Sequence, residues 1–186
     1  LHLMINDYRE KWQQPAMPFY WVQLSSIDTA TYPSHYWPLF RDEQRKLLDE
    51  LKNGGMAVCS DVGFKNDVHQ TDKKTVGERL ARWALHNTYN KNIVPSGPLP
   101  VHAKYIKGNI VVTFRYTAKG LRTSDEKAVT GFSINGKTTT KATIQKNKII
   151  IAVKEKPAYI YYGWQPFSTA NLINPEGLPA STFKID

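Results

Sequence analysis

Around Pro95-Ser96-Gly97-Pro98 the pattern of the sequence changes, and that change constrains the fold more than any other feature of the chain. Before it, long segments with apolar residues three and four apart alternate with short apolar runs. After it come short β-branched and aromatic runs separated by turn residues. Residues 1–13 read as the end of a helix stopped by Pro15, and residues 19–24 as a buried strand. Residues 37–53 form a second expected helix, with Leu39, Phe40, Leu47, Leu48 and Leu51 near one face and Gly54-Gly55 as its stop. Met56-Ala57-Val58-Cys59 is a second short buried strand, and residues 73–89 a helix burying Val76, Leu80, Trp83 and Ala84. Strand, helix, strand, helix with mostly apolar strands predicts an α/β unit over 1–95 with a parallel sheet covered by helices. Strands at 109–114, 148–153 and 159–162, with turn chemistry at Lys107-Gly108-Asn109 and Asn135-Gly136, predict a small antiparallel β domain over 96–186.

Composition excludes several classes. With 186 residues and 41% hydrophobic content the chain can bury a sizeable core, so disorder is not expected. No apolar stretch approaches the roughly 20 residues of a membrane span, so no membrane partner is expected. The start Leu1-His2-Leu3-Met4 lacks a signal-peptide layout, and a chain beginning inside a larger protein is the simpler expectation. Cys59 is the only cysteine, which rules out an internal disulfide and a multi-cysteine zinc site; we expect it to be a small buried hydrophobe. His2, His35, His86 and His102 show no metal-ligand spacing, so no metal is expected. The net charge of +9 arises from 25 Lys and Arg against 16 Asp and Glu, scattered singly over expected strand ends and turns. That spacing predicts a solvated basic surface without nucleic acid as partner.

The chemistry concentrates at Asp67-Val68-His69, between the expected strand at 56–59 and the helix at 73–89. In parallel sheets ligands bind beyond the carboxyl ends of the strands, which is where a loop over 61–72 emerges. An imidazole there can take a proton from an alcohol nucleophile if a carboxylate orients its other ring nitrogen. Asp67 and Asp61 are the two nearby carboxylates. The plain alternatives are an exposed loop histidine and an aspartate that caps a helix or closes a turn.

Residues 19–24, Trp37, Arg41-Asp42-Glu43-Gln44, Asp61-Val62-Gly63, Asn66-Asp67-Val68-His69 and Val76-Gly77-Glu78-Arg79-Leu80-Ala81 together resemble the sialate O-acetylesterases. Tyr162-Gly163-Trp164, Asn171-Leu172 and residues 176–183 resemble the tail of the same family, so the resemblance spans about 3–186. It implies the C-terminal part of a flavodoxin-like sheet of the SGNH hydrolase class, and removal of acetyl groups from sialic acids by a serine nucleophile with His69 as general base. The SGNH pattern places the acid three residues before the histidine, where this chain has Asn66, and many relatives follow the histidine with proline, where it has Gln70. Asp67 is therefore the expected orienting acid, with Asp61 in reserve.

The family's nucleophile segment and oxyanion-hole donors have no counterpart in these residues. Leu24-Ser25-Ser26-Ile27 has no flanking glycine for a strained elbow, and Ser60 fares no better. The expectation is a chain inactive by itself that works with the upstream half of the same enzyme on O-acetylated sialic acid or another acetylated glycan such as xylan. No cofactor is implied, and a periplasmic or secreted location follows by analogy alone. Tyr32, His35, Tyr36, Trp37 and Arg41 are expected either as an aromatic and cationic wall for an acylated sugar, with Trp37 and Arg41 as its binding residues, or as the start of a helix with Arg41 paired to Glu43 or Glu50 on the surface. Tyr161, Tyr162, Trp164 and Phe167 are candidates for sugar stacking or for core. A noncatalytic carbohydrate-binding module is the reading from another class.

Overall fold

The computed structural model describes residues 1–28 and 35–186, so the expected wall residue Tyr32 lies outside the described residues. Strand β1 (Phe19–Val22) and strand β2 (Gly54–Ala57) pair in parallel, with Trp21 opposite Met56. Helix α2 (Trp37–Glu50) makes the crossover between them. Helix α1 (His2–Lys11) precedes β1 and buries only Ile5. Its Arg9 guanidinium donates to the carbonyls of Met17 and Lys52, tying α1 to the segments that lead into both strands.

Two expectations for this region are corrected. Gly54 and Gly55 do not stop α2; they open β2. A Cβ on Gly55 would lie 2.7 Å from the rings of Trp83 and Tyr20, and one on Gly54 3.0 Å from Trp21, so these positions are glycine because aromatic rings pack flush on the strand. The helix instead ends at Leu51 in an extended conformation, and Asn53 takes the left-handed turn (φ 57°) while its side chain donates to the Ala16 carbonyl. The second correction concerns the buried face of α2. Leu51, Leu47 and Leu48 pack on the Ile5–Trp21–Met56 cluster as expected, but Leu39 and Phe40 are 40% and 59% exposed, while Arg41, Asp42 and Arg45 are buried. The helix turns this polar stripe toward the C-terminal half, where carbonyl-rich loops supply acceptors.

Helix α3 (Lys73–Asn87) covers the other side of the parallel pair, with Val76, Arg79 and Trp83 buried and the Trp83 indole N–H donating to the Met56 carbonyl at 2.8 Å. Cys59 is buried with it, and burial pushes its thiol up to about 12, which removes it as a nucleophile at neutral pH.

The C-terminal half holds three antiparallel sheets. Strands β3 (Leu99–Ile106), β4 (Asn109–Arg115), β8 (Lys148–Ala152) and β7 (Thr143–Gln145) lie side by side in the order β3-β4-β8-β7. The β3–β4 hairpin turns at Lys107 and Gly108, both left-handed (φ 47° and 79°), as the turn chemistry predicted. Strands β11 (Phe183–Ile185), β9 (Ile160–Tyr162) and β6 (Phe132–Ser133) form the second sheet, and β5 (Arg122–Thr123) with β10 (Leu172–Ile173) the third. Alternate residues of β4 and β8 (Ile110, Val112, Phe114, Ile149, Ile151) meet Phe132, Ile160, Tyr162 and Phe183 in one core, with Phe114 and Phe183 in edge contact at 5.9 Å. The molecule is thus a mixed α/β structure with a small parallel sheet and antiparallel sheets.

Buried polar contacts cross between the two halves. The Gln23 side-chain amide donates to Ser181 Oγ at 2.8 Å and to the Arg41 carbonyl at 2.7 Å. Within the C-terminal half, the Asn174 amide donates to the carbonyls of Ser96 and Tyr116, both at 2.9 Å. No helix among the described residues is long and apolar enough to cross a membrane.

Candidate active site

The loop that follows β2 is fixed at its near end, its middle and its far end. At the near end Asp61 accepts two 2.6 Å bonds from the Arg79 guanidinium, which also donates to the Val58 carbonyl. Burial alone would lower the Arg79 pKa, but the bidentate bond with Asp61 outweighs it and holds the guanidinium above its ordinary value. In the middle, Gly63 lies flush on the Ser26 backbone: a Cβ there would sit 2.2 Å from the Ser26 carbonyl oxygen. The Asp28 amide then donates to the Lys65 carbonyl at 2.6 Å. At the far end Asp72 caps α3, accepting from the Thr75 amide at 3.0 Å.

Between these anchors Asp67 and His69 meet. One oxygen, Asp67 Oδ1, accepts the His69 backbone N–H at 2.7 Å and lies 3.1 Å from His69 Nδ1. The backbone N–H of His69 is the main cause holding the Asp67 carboxyl below its usual range, so it is ionised at neutral pH. The His69 side chain is 86% exposed. With the Nδ1 proton donated to Asp67, Nε2 carries the lone pair and faces away from the carboxylate, which is the tautomer a general base needs. Asp61 is held by Arg79, leaving Asp67 as the carboxylate on the imidazole. Capping of α3 belongs to Asp72.

The expected wall residues are placed differently. His35 and Tyr36 are exposed. The half-buried Trp37 spends its indole N–H on the Ser25 carbonyl at 2.6 Å. Arg41 is fully buried and makes no pair with Glu43 or Glu50; its guanidinium donates to Ser26 Oγ, to the carbonyls of Gly163 and Pro166 at 3.1 and 3.3 Å, and to that of Gln165. Burial pulls its pKa down to about 10, still protonated at neutral pH. Trp37 and Arg41 therefore clamp segment 24–28, on which the His69 loop rests. Ser26 is buried, and its hydroxyl accepts from both Arg41 and the Ser168 amide, so it is a structural hydroxyl.

Arg79 went unforeseen as the anchor of this loop. The available signal was an arginine on the apolar stripe between Val76 and Trp83, where a charge persists only with a partner. Among the described residues no group of three or more His, Cys, Asp or Glu gathers where a metal ion could be held.

No protein-family model matches the chain, and no curated protein sequence matches it. Among solved structures the chain is similar to XAC1771, a carbohydrate acetylesterase from Xanthomonas citri, with a TM-score of 0.87 and 32% sequence identity over 98% of this chain. The match covers 44% of that chain, so the present chain spans less than half the length of the enzyme it matches.

Proposed function

We propose that this chain supplies the general base, His69, and its orienting acid, Asp67, to a serine carboxylic-ester hydrolase that removes O-acetyl groups from glycans. The substrate suggested by the sequence resemblance is O-acetylated sialic acid. In this reading residues 1–95 belong to a flavodoxin-like SGNH sheet and residues 96–186 form its β-rich companion. The serine and the oxyanion-hole donors come from other residues of the same enzyme. The observation that carries the proposal is the Asp67–His69 pair: a 3.1 Å carboxylate contact on Nδ1, an exposed Nε2, and a loop tied down on both sides of it.

Nε2 takes the proton as the serine oxygen attacks the acetyl carbonyl, and returns it to the sugar oxygen as the ester C–O bond breaks. Water then attacks the acetyl-serine, giving its proton to Nε2, and acetate leaves as the proton passes to the serine. Asp67 stabilises the imidazolium in both halves of the cycle. The test is acetate release from O-acetylated sialic acid and from acetylated xylan by this chain together with the rest of its polypeptide. His69→Ala is expected to lower kcat by about 10³ or more. Unchanged turnover in that variant would sink the proposal, and the preferred substrate decides between sialate and xylan.

A further inference from the structure

A recess lies in the C-terminal half, between residues 130–139 and residues 163–170, with a volume of about 180 Å³. That is the room of roughly six waters, the scale of one sugar ring. Its shape depends on glycines. A Cβ on Gly131 would stand 2.4 Å from the Ala170 Cβ, and one on Gly136 would meet the Trp164 ring at 3.2 Å; both residues also have left-handed φ, +93° and +73°. Trp164 forms one wall, steadied by an edge contact with Tyr161 at 5.2 Å.

The recess also has polar side chains around it that are free to bind a ligand. Part of the lining is already satisfied: Ser133 pairs with Asn135, and the Thr130 hydroxyl donates to the Thr169 carbonyl. Around the recess the Lys137 ammonium, the Gln165 amide, the Thr169 hydroxyl and the Trp164 indole N–H make no hydrogen bond or ion pair with the described residues. An aromatic ring beside several uncommitted donors and acceptors suits a polyhydroxylated ring, whose C–H face packs on the indole while its hydroxyls are exchanged from water to protein. The neighbouring Tyr159 offers less, because the Lys184 ammonium already sits 3.9 Å over its ring.

The recess is also coupled to the His69 loop. Arg41 holds the carbonyls of Gly163, Gln165 and Pro166, and the Ser168 amide binds Ser26 Oγ. Ser26 in turn carries Gly63. One segment, 24–28, thus supports both the base loop and the rim of the recess.

We propose that this recess is a sugar subsite that binds an unacetylated pyranose unit of the glycan on Trp164, Lys137, Gln165 and Thr169, apart from the unit that carries the ester. The inference rests on the glycan reading of the substrate but not on His69 as base. The experiment is therefore a binding measurement in the His69→Ala chain, where turnover cannot interfere. Amide NMR spectra are recorded during titration with methyl β-galactopyranoside, methyl β-xylopyranoside and N-acetylneuraminic acid. At least one is expected to bind with Kd of about 1–10 mM, shifting amides of 130–139, 163–170 and the Trp164 indole while residues 66–70 stay in place. Trp164→Ala should weaken that binding about tenfold, and the exposed Lys137→Gln, which carries no folding risk, about threefold. Absence of shifts with all three sugars, shifts located elsewhere, or equal binding by both variants would overturn the proposal. Loss of esterase activity in His69→Ala leaves this result untouched, so the two readings fail separately.

Discussion

Arg41→Met separates a residue that touches the ligand from one that holds the site together. Burial lowers the Arg41 pKa from 12.5 to about 10, which at about 1.4 kcal/mol per pH unit corresponds to roughly 3 kcal/mol for keeping the guanidinium charged in the interior. Methionine removes that cost and fills most of the volume. It also removes four charge-assisted hydrogen bonds and leaves the Gln165 carbonyl without a partner, while the Gly163 carbonyl keeps the Thr182 hydroxyl, the Pro166 carbonyl the Ile27 amide and Ser26 Oγ the Ser168 amide. Each of the four bonds to the charged group contributes about 1.5 kcal/mol, so together they exceed the relief and leave a net loss of about 3 kcal/mol.

For a chain of this size a loss of that order lowers Tm by about 6–12 °C. The assay is thermal unfolding followed by circular dichroism, with hydrogen exchange of the amides at 163–168 as a local readout. Those amides should exchange faster in the variant, because the loop loses its clamp. A Tm within about 2 °C of the parent would refute the energetics worked here. If glycan affinity fell while Tm held, Arg41 would be a ligand contact after all.

Other outcomes follow from the same geometry. The Asp67 carboxyl should titrate by ¹³C NMR below 3.8; because its folded pKa is depressed, its interaction with His69 is present above the ordinary carboxylate range and is lost as pH falls through the folded value. A midpoint at or above 3.8 would remove the contact. Asp67→Asn keeps an acceptor for the His69 amide but not the charge, and in the complete enzyme kcat should fall on the order of 10² with little change in KM. Arg79→Met leaves Asp61 unpaired; since that carboxylate is 38% exposed, the expected loss is about 2 kcal/mol rather than the full price of a buried pair. Unchanged urea midpoints would contradict it. Phe183→Ala, in the centre of the C-terminal core, should lose about 3–5 kcal/mol, read as an early thermal transition.

The elements were legible where periodicity and composition agreed. Helix α3 starts at the expected residue, β4 and β8 fall inside or within one residue of their expected ranges, and the Lys107-Gly108 turn is where its chemistry placed it. Strand β3 escaped notice because its outer stretch faces solvent on an edge and opens with Leu99-Pro100, which does not read as a strand. The face of α2 was misread for a different reason. Leucines mark a buried stripe only when the surface opposite is apolar, and here the C-terminal loops present carbonyls to Arg41 while Asp42 pairs with Arg45 at 2.8 Å. Long-range acceptors such as the Gly163 carbonyl leave no mark near residue 41 in the sequence.

The spacing of Asp67 and His69, unusual beside a pattern that places the acid three residues before the histidine, has a local explanation. A carboxylate two residues ahead of an amide closes an Asx turn, so Oδ1 reaches the His69 backbone N–H at 2.7 Å as a matter of chain geometry. The same oxygen then lies within reach of Nδ1, and one local turn orients both the backbone and the ring. Asn66, one residue earlier, has no charge with which to stabilise an imidazolium. The turn is a two-residue device that needs no buried acid, which is consistent with both side chains being largely exposed. What it does need is a loop that does not drift, and this is supplied from outside the motif by Arg79 on Asp61, Ser26 under Gly63, and Asp72 on α3. Precision at His69 therefore comes from residues that the Asp-x-His triplet by itself does not reveal.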